Sequence, residues 1–136
     1  LMVRIRPDAV HRPTGLMLDV KATTDARAFE WTRRVAQFGY HMQDAMYSDY
    51  WPMASGLEVT AFAFLVIEMK PPYACGVFQI DFEDVEYGRL QYRRALETWK
   101  ACRESGEWPA YSMQVQKIKL PRWARDGVEI EDDIEE

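Results

Sequence analysis

The chain has 136 residues, of which 48% are hydrophobic and 13% aromatic, with a formal net charge of −5. That length fits one domain with a real core, and no apolar run approaches the roughly 20 residues needed to span a membrane as a helix. Two cysteines without a C-x-x-C pattern and two histidines exclude a zinc site or a disulfide scaffold.

Residues 2–6 (MVRIR) alternate apolar and charged side chains, which predicts a half-buried strand. Residues 9–15 contain Pro13 and Gly15 and predict a turn. Residues 16–21 (LMLDVK) predict a second strand, paired antiparallel with the first. Side chains alternate along a strand, so Asp19 and Lys21 share a face, ~6–7 Å apart, together with Met17. Leu16, Leu18 and Val20 are then expected to point into a core. Burying charge at the end of an apolar strand is costly without a partner. Pro7-Asp8 lies one hairpin upstream, so two carboxylates and an ammonium can be brought together. Two carboxylates can hold Mg²⁺ against phosphate oxygens, and a nearby lysine can orient water and offset developing charge. An isolated D-x-K triplet is weak on its own; the upstream Asp8 strengthens it.

Thr23-Thr24-Asp25 supplies helix N-cap residue types. The proline-free stretch to Ser48 predicts one long helix, on the order of 35 Å. On it Tyr40, Gln43 and Tyr47 share a face at i, i+3 and i+7, with Phe29, Ala36 and Met46 on or beside it. Arg27, Arg33 and Arg34 lie elsewhere on the cylinder, available to a phosphate backbone. Residues 51–56 predict a loop, and residues 59–69 (VTAFAFLVIEM) a central strand. Residues 70–73 predict a turn and residues 75–80 a further strand, hairpin-paired to the previous one. Residues 82–105 mix apolar and basic positions at helical spacing, stopped by Gly106. Residues 107–125 read as extended or irregular, with Trp108 and Trp123 expected to pack on the body. Cys75 and Cys102 are expected to be reduced core thiols in a cytoplasmic protein, and His41 to serve helix packing. Residues 126–136 hold seven acids and no base, a solvated, disordered tail; without them 17 basic residues face 15 acidic ones, or +2.

Pro7-Asp8, Asp19-Val20-Lys21 and Gln43-Asp44-Ala45-Met46-Tyr47 resemble, in order, the three motifs of the RecB-like branch of the PD-(D/E)XK nuclease superfamily, the last being its Q-x-x-x-Y signature. The string Tyr40 to Asp49 (YHMQDAMYSD), with Glu107-Trp108-Pro109-Ala110 and Leu120-Pro121-Arg122-Trp123-Ala124, is similar to the RecE-type exonucleases (exodeoxyribonuclease VIII) of phage and prophage recombination systems. The resemblance covers about residues 3–125. It implies an α/β fold, the restriction-endonuclease-like mixed sheet flanked by helices, over residues 1–125. It further implies metal ligation by Asp8, Asp19 and the backbone carbonyl of Val20. Lys21 would position or activate water, and Gln43 and Tyr47 would orient the lysine or contact the substrate strand. The implied activity is Mg²⁺-dependent (Mn²⁺ as substitute) 5′→3′ digestion of one strand at double-stranded DNA ends. The product is a 3′ single strand for recombination, handed to a single-strand annealing protein, from a homo-oligomeric ring. The family also carries an N-terminal helical region with a further acid or histidine ligand. This chain opens at Leu1 within the strand leading to Asp8, so a truncated core lacking that helical part is expected. Two alternatives remain beside the exonuclease: a non-catalytic DNA-end-binding or assembly module with an incomplete site, and a structure-specific endonuclease on the same core.

Overall fold

The computed structural model describes residues 2–121 and residue 124. Two units are distinguished, Leu1–Gly106 and Glu107–Glu136. Among the described residues the first contains every α-helix and β-strand: β1 (Ala9–His11), β2 (Leu16–Thr23), α1 (Ala28–Phe38), α2 (Tyr40–Ser55), β3 (Ala61–Glu68), β4 (Cys75–Phe78) and α3 (Phe82–Ser105). In the second, residues 107–121 form no helix or strand. Trp108 is exposed, while Trp123 and the acidic tail lie outside the described residues.

The four strands make one mixed sheet in the order β1-β2-β3-β4. β1 and β2 form an antiparallel hairpin, and β3 and β4 another. Between these hairpins, β2 and β3 run parallel. A parallel pair needs a long crossover, and α1 with α2 provides it. The α/β, restriction-endonuclease-like mixed sheet flanked by helices is therefore observed.

The first hairpin differs from the expectation in position. The strand is Ala9–His11, not residues 2–6, because the turn is tighter than the Pro/Gly spacing suggested. Thr14 and Gly15 both donate their N–H to the His11 carbonyl, at 3.2 and 2.9 Å. Gly15 has φ +70°, and a Cβ there would sit 2.6 Å from the Glu58 carbonyl oxygen, so the turn admits little but glycine. Residues 2–6 keep their alternation of exposure without a ladder partner among the described strands.

The buried face of β2 is also the opposite of the one expected. Met17 and Asp19 are buried, whereas Leu16 and Leu18 are half-buried and Val20 is exposed. The reason is the crossover, which lays Trp31 of α1 and Tyr40, Tyr47 and Trp51 of α2 against Met17, Phe62, Phe64 and Val66.

The expected single helix is two. Thr23 belongs to β2, paired with Glu68, and its hydroxyl engages Asp25 in a turn, so α1 starts only after Arg27. Gly39 takes a left-handed conformation (φ +68°), donates its N–H to Val35, and ends α1, as helix-terminating glycines do. α2 then runs past the expected stop at Ser48, through Pro52, to a second left-handed glycine, Gly56. Pro52 lies in the last turn, where its missing N–H removes one helical bond and its fixed φ is already suitable. The later elements match expectation closely: β3, β4 and α3, the last capped by Asp81 and ended by Gly106. Gly88 is needed where α3 crosses α2, since a Cβ there would lie 2.4 Å from the His41 carbonyl oxygen. Cys102 is buried, but Cys75 is exposed on the edge strand β4 and is not a core thiol.

Candidate metal and phosphodiester site

β2 delivers Asp19 and Lys21 to the helix-covered face of the sheet, two residues apart. Asp19 is 4% exposed. Its Oδ2 lies 2.6 Å from Lys21 Nζ, an ion pair whose geometry does not make a hydrogen bond, so that oxygen is buried without one. Its Oδ1 accepts from Gln43 Nε2 at 2.5 Å, while Gln43 Oε1 accepts from Lys21 Nζ at 2.9 Å. The Gln43 amide therefore reads both charges at once and fixes their relative placement. A side-chain amide can donate to a carboxylate through its NH₂ and accept from an ammonium through its separate carbonyl oxygen.

Asp8 arrives from the other strand of the hairpin. The ladder ends at Ala9↔Leu18, so one further step of the register sets Asp8 across from Asp19. There its side chain takes over from the backbone: Asp8 Oδ2 accepts from the Val20 N–H at 2.8 Å. Asp8 is exposed and Asp19 buried, so the pair runs from solvent inward.

Each expected residue can now be placed. Asp19, Lys21 and Gln43 touch one another, and Asp8 is tied to the N–H of Val20, the residue between the first two. Tyr47 goes to the core, edge-on to Phe62 with centroids 6.3 Å apart. The aromatic group over Lys21 is Tyr40, two turns earlier, with Nζ 4.5 Å from its ring centroid; Phe64 lies at 5.9 Å. The i, i+3, i+7 face included Tyr40 without giving it a role. Of the arginines, Arg27 pairs with Asp25 at 2.6 Å and Arg33 with Glu30 at 3.8 Å, and Arg34 donates to the Thr24 hydroxyl at 3.0 Å. The Arg27 guanidinium holds the Asp25 carboxyl below its usual range.

Two acids on α2 escaped the sequence reading. Asp44 is buried, accepts from Ser48 Oγ at 3.2 Å, and is pushed up to about 6 by burial, with Ser48 and Arg89 opposing. Asp49 binds α3: it accepts from Arg89 Nε at 2.9 and 3.0 Å, from the Tyr92 hydroxyl at 2.5 Å and from Arg93 at 3.2 Å. Glu86 closes that cluster on Arg89. Burial, then the bond to Asp49, holds the Tyr92 phenol above its usual range.

The donor set suits a hard divalent cation. Asp8 and Asp19 would supply carboxylate oxygens and Val20 its backbone carbonyl, and the buried Asp19 Oδ2 meets Lys21 without a hydrogen bond. Mg²⁺ is commonly held by one or two carboxylates, with substrate and water completing its shell. Among the described residues no group of three His, Cys, Asp or Glu side chains is placed to hold a metal, so these two acids are the candidate ligands.

A family model described as a PDDEXK-like domain of unknown function (DUF3799) matches residues 1–121. A search of curated proteins finds no match.

Proposed function

The chain belongs to that PDDEXK-like family, and from this premise we propose that it is a metal-dependent deoxyribonuclease, a RecE-type 5′→3′ exonuclease acting on linear duplex DNA. The observation that carries the reading is the Lys21–Asp19–Gln43 contact set on the buried face, with Asp8 at the next register position. Hydrolysing a phosphodiester requires charge stabilisation on the phosphate oxygens and an oriented water in line with the leaving oxygen.

Asp8, Asp19 and the Val20 carbonyl would hold the cation. When bound, Mg²⁺ supplies Lewis-acid charge at the phosphate and makes water more acidic. Lys21 presents a compact ammonium to the attacking water and to the charge developing on the phosphate. Gln43 keeps that ammonium from collapsing wholly onto Asp19, because it accepts from one and donates to the other. Phosphate contacts carry no base information, so weak sequence preference is expected. A ring-shaped homo-oligomer, an annealing-protein partner, and a role in recombination belong to the same proposal. They rest on the RecE-type resemblance. Among the described residues no helix is long and apolar enough to cross a membrane.

Digestion of end-labelled linear duplex tests the proposal, with a covalently closed circle as control. Expected is Mg²⁺-dependent loss of the linear strand from its 5′ end, with the circle intact. Cleavage that persists without divalent metal sinks the mechanism, and a cut circle replaces the exonuclease with an endonuclease on the same core. A second reading follows from the two-acid count: a DNA-end-binding or assembly module with an incomplete site. Calorimetric titration with Mn²⁺ separates them, since a module binds DNA but takes up no metal.

A further inference from the structure

We infer that Tyr40 is a positioning residue that holds the Lys21 ammonium through the face of its ring and not through its hydroxyl. The inference rests on the nuclease reading for its consequence in catalysis, but its geometry stands alone. Lys21 carries an ammonium with three donors on a side chain that is only 19% exposed. Nζ meets Asp19 Oδ2 at 2.6 Å and Gln43 Oε1 at 2.9 Å. The ring of Tyr40 covers another side at 4.5 Å, while Phe64 lies at the edge of useful range at 5.9 Å. An ammonium over an aromatic face is attracted by the ring quadrupole, more so where water is excluded.

The ring is itself immobilised. It stacks on Trp31 at 5.2 Å and on Phe38 at 5.7 Å, and meets Phe64 at 5.7 Å. Tyr40 is the first residue of α2, directly after the left-handed Gly39. Gln43 follows three residues later, on the same face of the new helix. The break between the two helices at Gly39 therefore aims two unlike groups, a π face and an amide, at one ammonium. Without the ring, Nζ would keep its two oxygen partners but lose the wall that confines it to them. Lysine is a flexible four-carbon stem with a point charge, so confinement decides where the charge stands during reaction.

The test compares Tyr40→Phe, Tyr40→Leu and Tyr40→Met in Mg²⁺-dependent digestion of linear duplex, with thermal melting as a folding control. Tyr40→Phe is expected to stay within about twofold of the parent, because the ring face is kept. Tyr40→Leu is expected to lose on the order of tenfold in kcat with KM nearly unchanged. Tyr40→Met, unbranched and adaptable, serves the same purpose if the leucine variant does not fold. Loss in Tyr40→Phe equal to that in Tyr40→Leu overturns the inference, since the hydroxyl would then matter. So does unchanged kcat in a folded Leu or Met variant. Should the parent leave linear duplex intact, the nuclease reading fails and the inference is decided by NMR of the lysine side chains. Ring-current shielding moves the Lys21 Hε resonances upfield in the parent and in Tyr40→Phe, and this shift is expected to vanish in Tyr40→Leu. Lys21 resonances at ordinary positions in the parent overturn it.

Discussion

Helix α2 borders two carboxylate–cation clusters, one shared with α3 through its own Asp49 and one on β2 that it reaches through Gln43, and they differ in saturation. Toward α3, Asp49 is engaged by Arg89, Tyr92 and Arg93, and Glu86 completes the charge balance. Toward β2, Asp19 has one oxygen in a hydrogen bond and the other buried beside Lys21 without one. A saturated cluster clamps two helices and has nothing left to offer a ligand. One whose second oxygen meets only the ammonium of Lys21, with a second acid one register step away, has the form of a site.

Substitutions should separate the clamp from the site. Asp49→Ala leaves Arg89 with Glu86 alone and the Tyr92 hydroxyl without its acceptor, and is expected to lower stability by about 3 kcal/mol, read by urea unfolding, while folded molecules keep their specific activity. Asp19→Asn should do the reverse: cleavage falls on the order of 10²-fold or more, about 3 kcal/mol of barrier, with a melting temperature near the parent's. If Asp49→Ala abolished cleavage in folded protein, the two clusters would not be separable in this way.

Asp44 stands between the two clusters and sharpens the comparison by pH. Its carboxyl, ordinarily near 3.8, sits near 6 in the fold. The folded state therefore binds a proton more tightly than the unfolded chain. The resulting stability is fully present below about 3.8 and is lost as pH rises through about 6, with an amplitude of roughly 2–3 kcal/mol. Melting curves at pH 4 and pH 7 should converge in Asp44→Asn relative to the parent. An unchanged pH dependence in that variant would place the titrating group elsewhere. The smallest effect belongs to Gln43→Ala, which removes an orienting amide but neither charge: about tenfold in rate is expected, with partial recovery in Gln43→Asn unlooked for because its shorter arm cannot span both partners.

Much of the site was legible because it is carried by short, ordered motifs. The two-residue period of a strand put Asp19 and Lys21 on one face, while Gln43 was tied to the lysine by the Q-x-x-x-Y resemblance and not by its place on a helix. What escaped depended on distant packing. The buried face of β2 is chosen by where the crossover lands, and the alternation of Leu16, Leu18 and Val20 against Met17, Asp19 and Lys21 does not contain that choice. The break before Tyr40 was written in the sequence as Gly39, but a lone glycine in a proline-free stretch is compatible with a continuous helix. Asp44 and Asp49 stood in the motif strings without a role of their own, because the partners of Asp49 on α3 are 40 to 44 residues away. The hairpin at β1 was foreseen in kind but shifted, since the turn that sets its register is local to Thr14 and Gly15.

The bond from the Val20 amide to Asp8 gives the candidate ligand a built-in reporter. An amide proton held by a carboxylate resonates according to how much charge that carboxylate keeps for it. A cation drawing on Asp8 must withdraw part of that charge, so the Val20 amide signal should move when Mn²⁺ is replaced by its diamagnetic counterpart Mg²⁺ and titrated in. The occupancy of the acid pair can thus be followed on a single backbone resonance, with no nucleic acid in the tube.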